Sequence, residues 1–410
     1  MEDKFRKKSF TDKDVQASDK GVPVKFVMKL IEKSPYYEDL CNLMGLDDIK
    51  DEFIEIPGAS KLLQTVKAIN SQFEKIDLDM SFPELSFTKT EDDGKFALIF
   101  PSIDIETGEM IEGNKIIAKP IYSARSDFFS GLFKMERYAN TLLEKGHDSI
   151  VTSNLEYLRE VYSKSKTHKK KYRLLKDNDG YYFRAITSCN KYYDYNNNIT
   201  VFIGLIALHI EAKTSPVKFL VKRCEFNESF IRIYFEKEES RPIEKVGSAK
   251  YIIEVSNDEV KREALKFSGV MALIFGDDKP EKGELFIKPK DLKTSFLSIN
   301  HGVPPKSALK ALEKIAKYKE REEEQFQDLS QISKINNPDQ IRFLIKSKVD
   351  KLKSSELSKY KKEILTELLT RVDSIYDLLK LMNKIELIVE DIDAKEYLRY
   401  FLHEVLILKE

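Results

Sequence analysis

The sequence predicts an α+β protein, with a mixed N-terminal region and a β-rich middle followed by a helical C-terminal bundle or arm. Three observations carry this. Runs rich in β-branched and aromatic residues alternate with turn signals between residues 170 and 290. After Pro304-Pro305 the apolar residues recur every three or four positions to the end of the chain. Hydrophobic residues make up 41% of the 410, enough for a packed core, although charged residues reach 34% against an average of about 25%.

Residues 1–21 are polar and mixed in charge and read as a flexible tail. Val24 to Ile31 can open a short helix. A clearer helix covers Ser60 to Glu74, where Leu62, Leu63, Val66, Ile69 and Phe73 share one face. KFALIFPSIDI and NKIIAKPIY read as strands around a turn that holds Gly108. Helical periodicity returns from Asp127 to Glu144, and a short helix is expected after Ser153 as N-cap. YRLLKDNDGYYFRAITS reads as a hairpin turning at Asp179-Gly180, because Asp-Gly accepts positive φ. VKFLVKRCEFNESFIRIYFEKE reads as another, turning near Asn227-Glu228. AKYIIEVS, LKFSGVMALIF and GELFIKP add strands. The run Ile199 to Ile210 is equally a buried strand or a buried helix on periodicity alone. In the C-terminal part, breaks fall at Asn336-Asn337-Pro338 and near Asp391. The expected division is a tail (1–21), a mixed α/β region (22–163), a β-rich domain (164–304) and a helical domain (305–410).

Lys+Arg and Asp+Glu both number 69, so attraction to a charged partner must come from local patches. Cys41, Cys189 and Cys224 are scattered, with neither metal-ligand nor disulfide spacing, which fits a reducing, cytoplasmic setting. The longest apolar run, twelve residues, is too short for a membrane span of about 20. Phosphate-loop, dinucleotide, H-E-x-x-H and G-x-S-x-G motifs are absent, so no cofactor is expected and a non-enzymatic role is favoured.

Two constellations remain. Lys164, Lys166, Lys169, Lys170, Lys171 and Arg173 form a basic run, followed by Tyr181, Tyr182 and Arg184. Cations meet phosphates and flat rings meet unstacked bases, so the mixture suits single-stranded nucleic acid. Separately, Glu211 and Lys213 end the apolar run, with Asp194 seventeen residues earlier. An Asp…Glu-x-Lys set is the pattern of Mg²⁺-dependent nucleases, in which two carboxylates hold the ion. Acidic-x-basic triplets are common by chance in so charged a chain.

The segment YYFRAITSCNKYYDYNNN resembles the Arg-Ala-Ile-x-Ser-x-x-Tyr-x-x-x-Asp-Asn stretch of a phage- and plasmid-related family of unknown function. Arg184, Ala185, Ile186, Ser188 and Asn196 carry the match, with Tyr192 or Tyr193 near the family's Tyr. Ser256, Asn257, Glu259 and Val260 resemble its Asn-Ser-Glu-Val segment, with Lys261 where the family has Gly. The resemblance spans about residues 165–290 and implies a mobile-element setting. The expectation from sequence is a nucleic-acid-binding accessory protein. The alternatives are the metal-dependent nuclease and a protein-interaction component acting through the C-terminal helices.

Overall fold

The computed structural model describes residues 3–89, 95–103, 110–163, 169–260, 263–276, 281–290, 295–353 and 356–409. The α+β class holds: two large antiparallel-rich sheets and a separate two-stranded one are joined by helices, and the C-terminal region is helical. In chain order the strands are β1 (Lys8–Thr11), β2 (Val22–Pro23), β3 (Phe53–Ile54), β4 (Glu74–Ser81), β5 (Ser86–Lys89), β6 (Phe96–Ile103), β7 (Met110–Pro120), β8 (Lys169–Asp177), β9 (Gly180–Thr187), β10 (Phe219–Phe226), β11 (Phe230–Ile243), β12 (Gly247–Asp258), β13 (Leu265–Phe275), β14 (Gly283–Ile287) and β15 (Ser295–Ile299).

The larger sheet runs β1-β10-β11-β12-β13-β14, with β15 also on β13, and every pair is antiparallel. The Asn227 turn between β10 and β11 falls where the sequence places it. Asn227 Oδ1 accepts from the backbone N–H groups of Ser229 and Phe230 and closes the turn. The smaller sheet runs β4-β8-β9-β7-β6-β5, antiparallel except for β7 beside β9. In the β8–β9 hairpin Asp177 pairs with Gly180, so the loop residues are Asn178 and Asp179, one position earlier than expected. Gly180 opens β9 at φ +141°, a conformation that favours glycine.

The run Ile199 to Ile210 is helical. The helix Asn197–Thr214 lies against the inner face of the larger sheet and is apolar nearly all round, so no face stands out in its sequence. Asn196 caps it by accepting from the Ile199 N–H. Gly204 lets it approach closely: a Cβ there would lie 3.4 Å from the Phe235 ring. Its packing joins Phe10, Val24, Leu62, the inner faces of β10–β15 and the C-terminal helices through Leu406 into one core. A second core lies between the smaller sheet and the helices Ala124–Phe133, Glu136–Glu144 and Asp148–Ser163.

Several sequence expectations change here. Residues 3–21 are not a free tail. Lys8–Thr11 completes the edge of the larger sheet, and Phe5 is fully buried against Phe73, Leu175 and Tyr182. The expected 164–304 domain is divided, because β8 and β9 pair with β4 and β7 of the smaller sheet. The boundary at 304/305 is not a break in the core, which runs through it. The helix expected from Asp127 to Glu144 is two helices, broken at Lys134, whose φ is +54°. Ser153 lies inside the Asp148–Ser163 helix and is not its cap. Gly108 lies outside the described residues. The Asn337 and Asp391 breaks are both N-caps, accepting from Gln340 N–H and Ala394 N–H. No helix among the described residues is long and apolar enough to cross a membrane.

Because the buried Phe5 ring packs on Phe73, Leu175 and Tyr182 at the smaller sheet, Phe5→Ala is expected to cost roughly 3–5 kcal/mol in urea unfolding. An unchanged midpoint would show the N-terminal segment to be peripheral.

Candidate functional site

Of the basic run, Lys164 and Lys166 lie outside the described residues. Lys169, Lys170 and Lys171 open β8, with Lys169 exposed and the other two half-buried. Strand alternation sends Lys170 to the opposite face from its neighbours, and Lys171 sits 3.6 Å from Asp79. The three therefore form no single patch. Tyr181 is half-buried and packs on the smaller sheet's core.

Arg173, Tyr182 and Arg184, expected to face a ligand, are instead buried, at 1%, 4% and 1% exposure. The reason is topological. β8 and β9 are central strands, and one of their faces turns towards the larger sheet. The Tyr182 hydroxyl accepts from Lys4, while Arg173 and Arg184 converge on Glu259, just after β12.

Glu259 is fully buried. Its carboxylate accepts from Lys75 Nζ on β4 at 2.6 Å, from Arg184 Nη1 on β9 at 2.7 Å and from the Asn197 N–H at 2.8 Å. Its carbonyl accepts from Arg173 Nη1 at 2.7 Å and from the Tyr192 hydroxyl at 2.6 Å. Arg173 also reaches Asp194 at 2.7 Å and Asp77 at 3.1 Å. The Tyr192 ring stacks on His301, centroids 4.8 Å apart. Burial alone pushes the Glu259 carboxyl up, but the Lys75, Arg184 and Arg173 cations outweigh it and hold it at about 2. Beside it, Arg184 also donates to Ser229 Oγ, which in turn donates to Glu228. Glu228 accepts from the Tyr122 hydroxyl as well. Burial pushes the Glu228 carboxyl up. Arg184 and Glu259 thus meet directly, and nearby Asn257 donates to the Tyr195 carbonyl.

The Asp194, Glu211, Lys213 set does not converge. Asp194 precedes the Asn197–Thr214 helix and Glu211 lies in its last turn, about 20 Å apart at 1.5 Å per residue. Two carboxylates so placed cannot share an ion. Glu211 pairs with Lys319 at 2.8 Å and Lys213 with Glu52 at 2.6 Å. Among the described residues no group of three or more His, Cys, Asp or Glu side chains is placed to hold a metal.

A feature without a sequence signal lies on the C-terminal helices. Of the four most exposed large apolar side chains among the described residues, three are here: Leu387 at 73%, Leu369 at 67% and Phe343 at 55%. Phe343, Leu365 and Leu369 line an open groove of about 610 Å³ between the helices Pro338–Asp350 and Lys361–Glu367. Leu387, Leu381 and Val372 line a neighbouring one of about 400 Å³ on the other side of the shorter helix. Their three- to four-residue spacing is the same as that of core positions, so periodicity alone could not separate them.

Comparisons with family models, curated proteins and solved structures give no match.

Since the folded Glu259 sits below its ordinary 4.5, its contribution is complete above about pH 4.5 and is lost as pH falls towards 2. Glu259→Gln is expected to be destabilised by roughly 3–5 kcal/mol at pH 7, since it leaves buried cations poorly matched. The gap from the native chain should narrow at pH 3. Parallel stability curves for the two proteins across that range would contradict the role of this carboxylate.

Proposed function

We propose that the protein is a non-enzymatic binding component that docks a partner through the C-terminal groove. The observation that carries this is the exposure of Phe343 and Leu369 side by side on one surface. Contiguous apolar side chains left to water commonly mark interaction sites. The rim supports one kind of occupant. Asp350 faces Lys361 at 3.8 Å, while Lys346 and Lys362 form no ion pair among the described residues. An amphipathic helix with carboxylates beside its apolar face satisfies both the floor and the rim.

The test is selection from a library of amphipathic helical peptides, with Phe343→Asp and Leu369→Asp as controls. Both side chains are exposed, so the fold should survive. Selected peptides are expected to be acidic at the flanks and to lose about 30-fold in affinity on either change, as for an interface anchor worth about 2 kcal/mol. Peptides that ignore both substitutions would overturn the reading.

A second reading, contact with single-stranded nucleic acid in a mobile-element setting, keeps one support: three consecutive lysines at the open end of β8. Lys169 and Lys171 share a face, so replacing both with alanine is expected to flatten the log–log salt dependence by about 1.4 units, at about 0.7 per contact. Native protein with no salt-sensitive binding to oligonucleotides would remove this reading.

A further inference from the structure

The outer face of the larger sheet, opposite the main core, carries a second built feature. Alternation along β12 and β13 places Glu254, Ser256, Lys266 and Ser268 on that face. The register sets Ser256 opposite Lys266 and Glu254 opposite Ser268. β15 then extends the second row, with Ser295 opposite Ser268, and β11 extends the first, with Arg232 opposite Ser256. The stretch after β14 and Tyr400 of the helix Ile392–His403 close over these rows and leave a half-open pocket of about 60 Å³.

The lining is almost wholly polar. Ser256 and Ser268 are 1% and 5% exposed, and neither hydroxyl has a hydrogen-bond partner among the described residues. Both remain available to donate into the pocket. Three lysines and two glutamates line it: Lys266, Lys288, Lys290, Glu254 and Glu263. The glutamates are already committed. Glu254 accepts from Lys288 at 2.8 Å, and Glu263 lies 3.2 Å from Arg232. Lys266 and Lys290 form no ion pair within 4 Å among the described residues. What is left over is positive charge with hydroxyl donors, in a space for one small ion and too small for a nucleoside.

We infer that this pocket is a binding site for a tetrahedral oxyanion, a phosphate group, held by Lys266, Lys290, Ser256 and Ser268. Lysine acts there as a point charge and the hydroxyls give direction. The half-open mouth admits either free phosphate or a phosphate carried on a larger molecule. The site is on a different surface from the C-terminal groove and stands independently of what docks there.

The experiment is isothermal titration of the full chain at low ionic strength with inorganic phosphate, a nucleoside monophosphate, and an oligonucleotide without terminal phosphate. Saturable one-to-one binding of inorganic phosphate is expected, weakened at least tenfold in Lys266→Met, in Lys290→Met and in Ser268→Ala. Equal or tighter binding of the monophosphate assigns the site to a phosphate monoester. Competition by the oligonucleotide assigns it to a backbone phosphate. Lys290 is exposed and forms no ion pair among the described residues, so its variant should fold even if another fails. No saturable phosphate binding, or binding indifferent to Lys290→Met and Ser268→Ala, would overturn the inference.

Discussion

A carboxylate cut off from water sets the condition on which the two sheets stay together. Glu259 comes from the end of a strand in the larger sheet, and its cationic partners Lys75 and Arg184 come from the smaller one. A buried charge is tolerable only while its partners surround it, and stripping one away costs several kcal/mol. The sheets therefore cannot part without exposing uncompensated charge on both sides. A second ionic joint does the same for the C-terminal region. Glu225 accepts from Arg232 and Arg399, and Glu396 accepts from Lys288 and Arg399, all of them buried between the outer face of the larger sheet and the helix Ile392–His403. Burial pushes Glu225 up, and Arg399, Arg223 and Arg232 bring it down to about 2. The cores are apolar, but the joints between layers are salt-bridged.

This arrangement explains why the polar pocket lies where it does. A sheet face with Arg232, Glu254, Ser256, Lys266 and Ser268 cannot be covered by an apolar helix. The covering helix brings Arg399 and Glu396 to match it. Tyr400 of that helix lines the pocket, where Ser256, Lys266 and Ser268 form no hydrogen bond or ion pair through their side chains among the described residues.

What could be seen in the sequence follows from how local each signal is. The hairpin at Asn227 was legible because an Asx side chain closes a turn on its own neighbours. The β-rich middle and the helical end were legible from periodicity. The helix Asn197–Thr214 was not, since a segment buried on all sides has no polar face to report its period. Arg173 and Arg184 read as solvent-facing because charge usually is, and Glu259, the residue that buries them, lies 86 and 75 positions away. Only the topology joins them. The N-terminal segment misled for the same reason. Its charges were conspicuous, whereas Phe5 and Phe10, the two residues that anchor it, find their partners far along the chain. In the candidate pocket, Glu254 and Ser256 alternate with apolar residues, a two-residue period that marks an outward face but says nothing of what gathers there.

The strand Lys8–Thr11 has one further consequence, in the order of assembly. It pairs with residues 223–226, and Lys7 bonds Asp393, 386 positions later. As a ribosome makes the chain, this strand must wait for more than 200 further residues before its partner exists. Contacts of such long range slow folding, because a large loop must close before they form. Meanwhile Phe5 and Phe10 remain in contact with water and with whatever shields a nascent chain. The larger sheet is completed at its β1 edge by residues made well before their partner strand, so β1 is among the last parts to find its place.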